Sequence, residues 1–168
     1  MPALAAAAYR PRYSCAAEFT SMNIFEALRV SHETQRALAA QLLATEGDSP
    51  QRDRLFRELR RELAAHATAE ERCFYIPLMS IDASVDASRH GVAEHHEMDE
   101  MVEALQKMEY SSPGWIAGAR RLSEKIHHHL KDEEQGIFQL AGKVLAEGQK
   151  RSLAKDYEAE FLTQRTKD

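Results

Sequence analysis

Residues 66–75 read HATAEERCFY and residues 129–138 read HLKDEEQGIF. Each stretch opens on His-x-x-x-Glu, as His66 with Glu70 and His129 with Glu133, and the two lie 63 positions apart. In a helix, residues at i and i+4 stand one above the other on one face. Each stretch is also preceded, 34 residues earlier, by another histidine: His32 before His66 and His95 before His129. The offset from His32 to His95 is again 63. A lone His-x-x-x-Glu is an ordinary pair on a helix surface; the doubled spacing requires another explanation.

The repeat extends to residues with quite different jobs. Ser49-Pro50 recurs as Ser112-Pro113, each an N-cap followed by a favoured first helical residue. Leu38 and Leu42 recur as Met101 and Leu105, Leu59 and Leu63 as Leu122 and Ile126, Glu71 as Glu134, and Phe74-Tyr75 as Ile137-Phe138. Caps, apolar stripe and polar positions coincide, which a duplicated helical hairpin explains economically.

Elements follow from these marks. Asn23 and Glu26 have capping-box spacing, so a first helix is expected over about 23–45, stopped near Gly47. A second runs from Ser49-Pro50 to about Tyr75, with Pro77 marking its end. A third covers about 87–109, and a fourth about 113–147, ending at Gly148. Leu153, Tyr157 and Phe161 repeat every four residues and predict a short C-terminal helix packed on the bundle. No segment alternates as a strand does. The expected fold is all-α: an antiparallel up-down-up-down four-helix bundle over residues 22–148, with a helical tail over 149–168. Residues 1–21 lack a basic start and a long apolar run, so they read as a disordered extension, or as lying upstream of a natural start at Met22.

Bulk properties narrow the function. The 168 residues suit one domain with a real core. A net charge of -5 disfavours nonspecific nucleic-acid binding, and no apolar run approaches membrane-spanning length. With only Cys15 and Cys73, a structural disulfide is not expected and a reducing cytoplasm fits best. The eight histidines stand out and cluster. Imidazole nitrogen with carboxylate oxygen suits iron, manganese or zinc. The predicted metal ligands are His32, His66, Glu70, His95, His129 and Glu133, two histidines per metal with the glutamates between.

Neighbouring candidates are weaker. Of His127, His128 and His129, only the last keeps both the repeat and the i,i+4 spacing, although His128 to Glu133 at i,i+5 could also serve. His95 keeps the repeat and His96 does not. His90-x-x-x-Glu94 matches Ala27 and Ser31 in the first half and reads as a solvated face. Glu71 and Glu134 point about 100° from the glutamates they follow and read as supporting or solvent-facing. Cys73 and Met98 read as core, and Trp115 as packing at a bundle end.

The order His…His-x-x-x-Glu…His…His-x-x-x-Glu, carried by SHETQRAL, HATAEERCFYIPL, EHHEMDEMVEAL and HLKDEEQGIF, resembles the hemerythrin-like family, or HHE cation-binding domain, over about residues 22–148. The resemblance implies a four-helix bundle around two non-haem iron ions, oxo- or hydroxo-bridged. His32, His66, His95 and His129 would be terminal ligands, with Glu70 and Glu133 bridging. Oxygen-carrying members have two histidines four apart on the third helix, where this chain has Gly91 before His95. That departure points away from reversible oxygen carriage and toward members that bind or react with oxygen, nitric oxide or peroxide in sensing, storage or stress defence. An iron store or donor for repairing iron centres is the alternative. A metal-stabilised binding module is another, with the stripe Leu153, Tyr157 and Phe161 as its contact surface. No protein partner is indicated.

Overall fold

The computed structural model describes residues 22–167, so the expectations for residues 1–21, Cys15 included, lie outside it. The described residues form helices and turns without strands. Six helices carry the architecture: α1 (Ile24–Leu43), α2 (Pro50–Glu70), α3 (Val85–Gln106), α4 (Pro113–Gln135), α5 (Ile137–Val144) and α6 (Glu147–Arg165).

Helix starts fall where the caps place them. Asn23 accepts from the Phe25 and Glu26 amides while Glu26 accepts from the Asn23 amide, a complete capping box. Ser49 and Ser112 each accept from the amide three residues on, with Pro50 and Pro113 filling a position that needs no donor. The α1–α2 turn passes through Gly47 at φ 57°, a left-handed conformation that glycine adopts without steric cost. Arg52 then ties two connections together: its guanidinium donates to Thr45 O, Thr45 Oγ1 and Tyr110 O and lies over the Trp115 ring.

In the ring of helices α1 packs on α2 and α4, α2 on α3, and α3 on α4, the neighbours that two paired hairpins require. Two apolar clusters fill the inside. One gathers Leu38, Leu42, Phe56, Leu59, Val102, Leu105, Trp115 and Leu122. The other gathers Ile24, Leu28, Phe74, Leu78, Ile137 and Phe138, together with Tyr157 and Phe161 of α6. Between them, on α1, α2, α3 and α4, lies a layer of buried polar residues: His32, His66, Glu70, His95, His129 and Glu133.

Three features differ from the sequence reading. First, the second helix is not regular to its end: after α2, residues Glu71–Tyr75 form a π-helical turn, and Ile76–Leu78 add a last α turn that carries the chain past Pro77. Pro77 has no amide to donate, and the widened turn ends two residues before it. Second, the fourth helix breaks at Gly136 instead of running to Glu147. A Cβ there would sit 2.7 Å from the Asp132 carbonyl oxygen, so the break needs a residue without one. Third, the C-terminal helix is not short: α6 spans 19 residues and packs along α1 and α2. Its stripe packs inward as expected, with Tyr157 and Phe161 buried.

Candidate metal centre

The two interruptions of helical phase have one local consequence. Tyr75 follows Glu70 by five residues, which in a regular α-helix would swing it about 140° around the axis. The i→i+5 turn slows that rotation and brings Tyr75 back over the polar layer. The Gly136 break does the equivalent for Phe138, five residues after Glu133. As a result the Tyr75 ring lies 5.7 Å from His95, and the Phe138 ring stacks 5.7 Å from His32. The repeat offset relates both pairs, but only Tyr75 carries a hydroxyl.

All six predicted residues converge. His32, His66, Glu70 and Glu133 offer donor atoms within 4.8 Å of one another, as do Glu70, His95 and His129. Glu70 belongs to both groups. Its Oε2 lies 3.2 Å from His66 Nε2 and 3.4 Å from His95 Nε2, while Glu133 Oε2 lies 3.2 Å from His32 Nε2 and 3.9 Å from His129 Nε2. His95 and His129 face each other through Nε2 atoms 3.1 Å apart. Two imidazole lone pairs at that distance repel unless a proton or cation lies between them.

Each histidine is held by its other nitrogen. Nδ1 of His32 meets Glu134 Oε1 at 2.8 Å, that of His66 the Tyr157 hydroxyl at 2.9 Å, that of His95 Glu71 Oε1 at 2.9 Å, and that of His129 Glu94 Oε2 at 2.9 Å. Such partners fix the tautomer and aim Nε2 inward. The supporting role read for Glu71 and Glu134 agrees with this geometry: each holds the histidine of a neighbouring helix, related by the repeat. Sequence reasoning did not single out Tyr75, Glu94 or Tyr157 for such contacts.

Protonation follows the same arrangement. Burial pulls the His32 and His95 imidazoles down, but the carboxylates around them prevail and raise these pKa values to about 9 and about 10. Burial lowers His66 to about 4. The hydrogen bond from His129, with Lys125, holds Glu94 at about 2; the bond from His32, with Arg36, does the same for Glu134. Burial works to raise Glu70, yet His66 and His95 keep it well below the ordinary range; burial and the Glu70 charge push Glu133 up. Burial likewise raises the Tyr75 phenol well above its usual range, and its hydroxyl donates to Glu133 Oε1 at 2.6 Å. The cluster attracts positive charge that its own side chains supply only as protons.

A cation fits that need. The buried atoms without a hydrogen-bond partner include Nε2 of His32 and His66, both oxygens of Glu70 and Oε2 of Glu133, all pointing into the layer. Buried polar groups are ordinarily satisfied, and imidazole nitrogen with carboxylate oxygen is a set that transition metals bind.

The remaining candidates lie outside this layer. His96 and His128 are exposed and face Glu100 and Asp132, and His127 turns its Nδ1 to the Ser123 carbonyl at 2.8 Å. Cys73 is a half-buried free thiol, and Met98 and Trp115 lie in the core. His90 is 66% exposed, as a solvated face requires, and lines a cleft of about 160 Å³ with Tyr75, Gly91, Glu94, Glu133 and Leu140. A Cβ on residue 91 would lie 2.2 Å from the Tyr75 hydroxyl, so the tyrosine occupies the space that a side chain there would need.

The sequence profile of the hemerythrin HHE cation binding domain matches residues 23–141. The chain belongs to the hemerythrin HHE cation-binding family. A crystal structure of a hemerythrin HHE cation binding domain-containing protein from Mycobacterium kansasii superimposes with a TM-score of 0.76 at 21% identity, covering 86% of this chain and 88% of that one. This likeness establishes the hemerythrin-like fold. A protein of Nostoc sp. named DNA nickase is 26% identical over 139 residues, 82% of this chain. The chain spans 39% of that relative's length. As in an HHE domain, the His/Glu groups here are placed to hold a metal. The family match ends at Ala141, so α6 lies beyond it.

Proposed function

We propose that the chain is a non-haem di-iron protein whose buried centre binds or reacts with a small oxidant: oxygen, nitric oxide or peroxide. The observation that carries this reading is the pair of donor groups sharing Glu70, whose inward-facing atoms include several with no hydrogen-bond partner. His32 and His66 would hold one ion and His95 and His129 the other, with Glu70 and Glu133 bridging, inside an antiparallel up-down-up-down bundle. Two ferrous ions side by side would supply the two electrons that reduction of oxygen or peroxide demands.

The chain's own residues determine what reaches them. The cleft under His90 leads to Tyr75 and Glu133, and its volume suits molecules of a few atoms. The cleft lies on the His95–His129 side of the layer, since its walls include Tyr75, beside His95, and Glu94, which bonds His129. That is the side where Gly91 stands, with Tyr75 leaning over it. Tyr75 keeps its proton, because burial and the nearby carboxylates disfavour the phenolate, and holds it in the hydrogen bond to Glu133 Oε1 at the cleft wall. The two apolar clusters exclude water from the other sides.

No separate observation favours the binding-module reading, since the stripe that would have served as its surface packs within the chain. The test is ligand binding to anaerobically iron-loaded protein. Changes in the optical spectrum on adding nitric oxide or peroxide are expected, slowed by Leu140→Trp at the cleft. Unaltered spectra with every small oxidant would overturn the proposal.

A further inference from the structure

The 63-residue repeat carries an unequal buttress beside the two inner histidines. In the second half, His129 Nδ1 bonds Glu94, and Glu94 pairs with Lys125 at 2.9 Å. The repeat equivalents of Glu94 and Lys125 are Ser31 and Glu62. Ser31 donates to Glu62 Oε1 at 2.6 Å, so the polar pair survives while the carboxylate has moved to the other helix. From there it does not serve His66. Both missing groups come from α6 instead: Tyr157 meets His66 Nδ1 at 2.9 Å, and Arg165 pairs with Glu62 and Glu58. Arg72 adds a further tie to Glu160 at 2.6 Å.

We infer that α6 is a working part of the metal centre, with Tyr157 as the positioning residue of His66 and hence of the ion held by His32 and His66. The inference rests on the two-metal reading above. With Nε2 reserved for metal, Nδ1 carries the proton and donates to the phenol oxygen. Tyr157 thereby fixes the tautomer and the ring direction, as Glu94 does for His129. A phenol is a neutral acceptor and a carboxylate a charged one, so the two halves support their inner histidines by different chemistry. Loss of Tyr157 then disables one side selectively, because His95 and His129 have their own supports in Glu71 and Glu94.

The test is anaerobic Co(II) titration of the full chain, followed by optical absorption and metal content, with thermal melting of the metal-free proteins alongside. The wild type is expected to take two ions. Tyr157→Phe should keep one at wild-type affinity and bind the second about ten- to hundredfold more weakly. Phe161→Leu removes packing one turn away, where its ring lies 5.8 Å from Tyr157, without touching the hydrogen bond. It should lower the melting temperature and keep both affinities. Two wild-type affinities in Tyr157→Phe, or parallel weakening in both variants, would overturn the inference. A wild type that takes only one ion would instead overturn the two-metal reading beneath it.

Discussion

At the scale of single residues, the inner donors were legible because spacing alone selects them: the offset of 63 and the i,i+4 rule separate His129 from His127 and His128, and His95 from His96. The structure places the chosen histidines inside and turns the others out. Removing His129 should therefore abolish binding of at least one ion, whereas His128→Ala should leave the metal content unchanged; inverse results in metal analysis would mean the register of α4 is wrong. The residues around the donors were less legible, for physical reasons. Tyr75 is out of phase in any regular helix, Glu94 has a serine, Ser31, as its counterpart in the first half, and Tyr157 lies outside the repeat. Tyr75 and Gly91 also constrain one another. Gly91→Ala should destabilise the metal-free chain by about 1–3 kcal/mol through overpacking. Placing it beside Tyr75→Leu should recover part of that loss, a non-additivity that denaturant unfolding of the single and double variants would reveal.

At the scale of elements, helix starts were easy to read and helix interruptions were not. Asn23, Ser49 and Ser112 act through side chains whose chemistry is local, so sequence suffices to find them. The π turn after Glu70 and the break at Gly136 leave the apolar periodicity on either side nearly intact, so nothing in the pattern marks them. Gly136→Ala should cost about 1–3 kcal/mol, since the added methyl meets a backbone carbonyl that cannot move aside alone. Ser49→Ala and Ser112→Ala should cost about 1 kcal/mol each. Denaturant unfolding of the three variants measures these costs.

At the scale of the whole molecule, the buried layer couples folding to protons and metal. In the folded, metal-free chain His32 and His95 keep protons to about pH 9 and about 10, against a reference value of 6.5. Their contribution to stability is complete below 6.5 and is lost as pH rises through those higher values. His66, lowered to about 4, works in the opposite sense: its contribution is present above 6.5 and fades as pH falls toward 4. The metal-free protein should thus lose stability steadily on raising pH from neutral to 10. Metal-loaded protein should resist that loss, because bound ions replace those protons. Equal slopes of unfolding free energy against pH for the two forms would contradict this. The amphipathic character of the C-terminal segment was evident in sequence, but the surface it covers depends on α1 and α2 being assembled. No helix among the described residues is long and apolar enough to cross a membrane.

The most direct measurement is metal content and optical absorption of protein purified without oxygen, then exposed to air. The account predicts two irons per chain and near-ultraviolet charge-transfer bands that grow on exposure. Zinc alone, or fewer than two metal ions after anaerobic iron reconstitution, would contradict it.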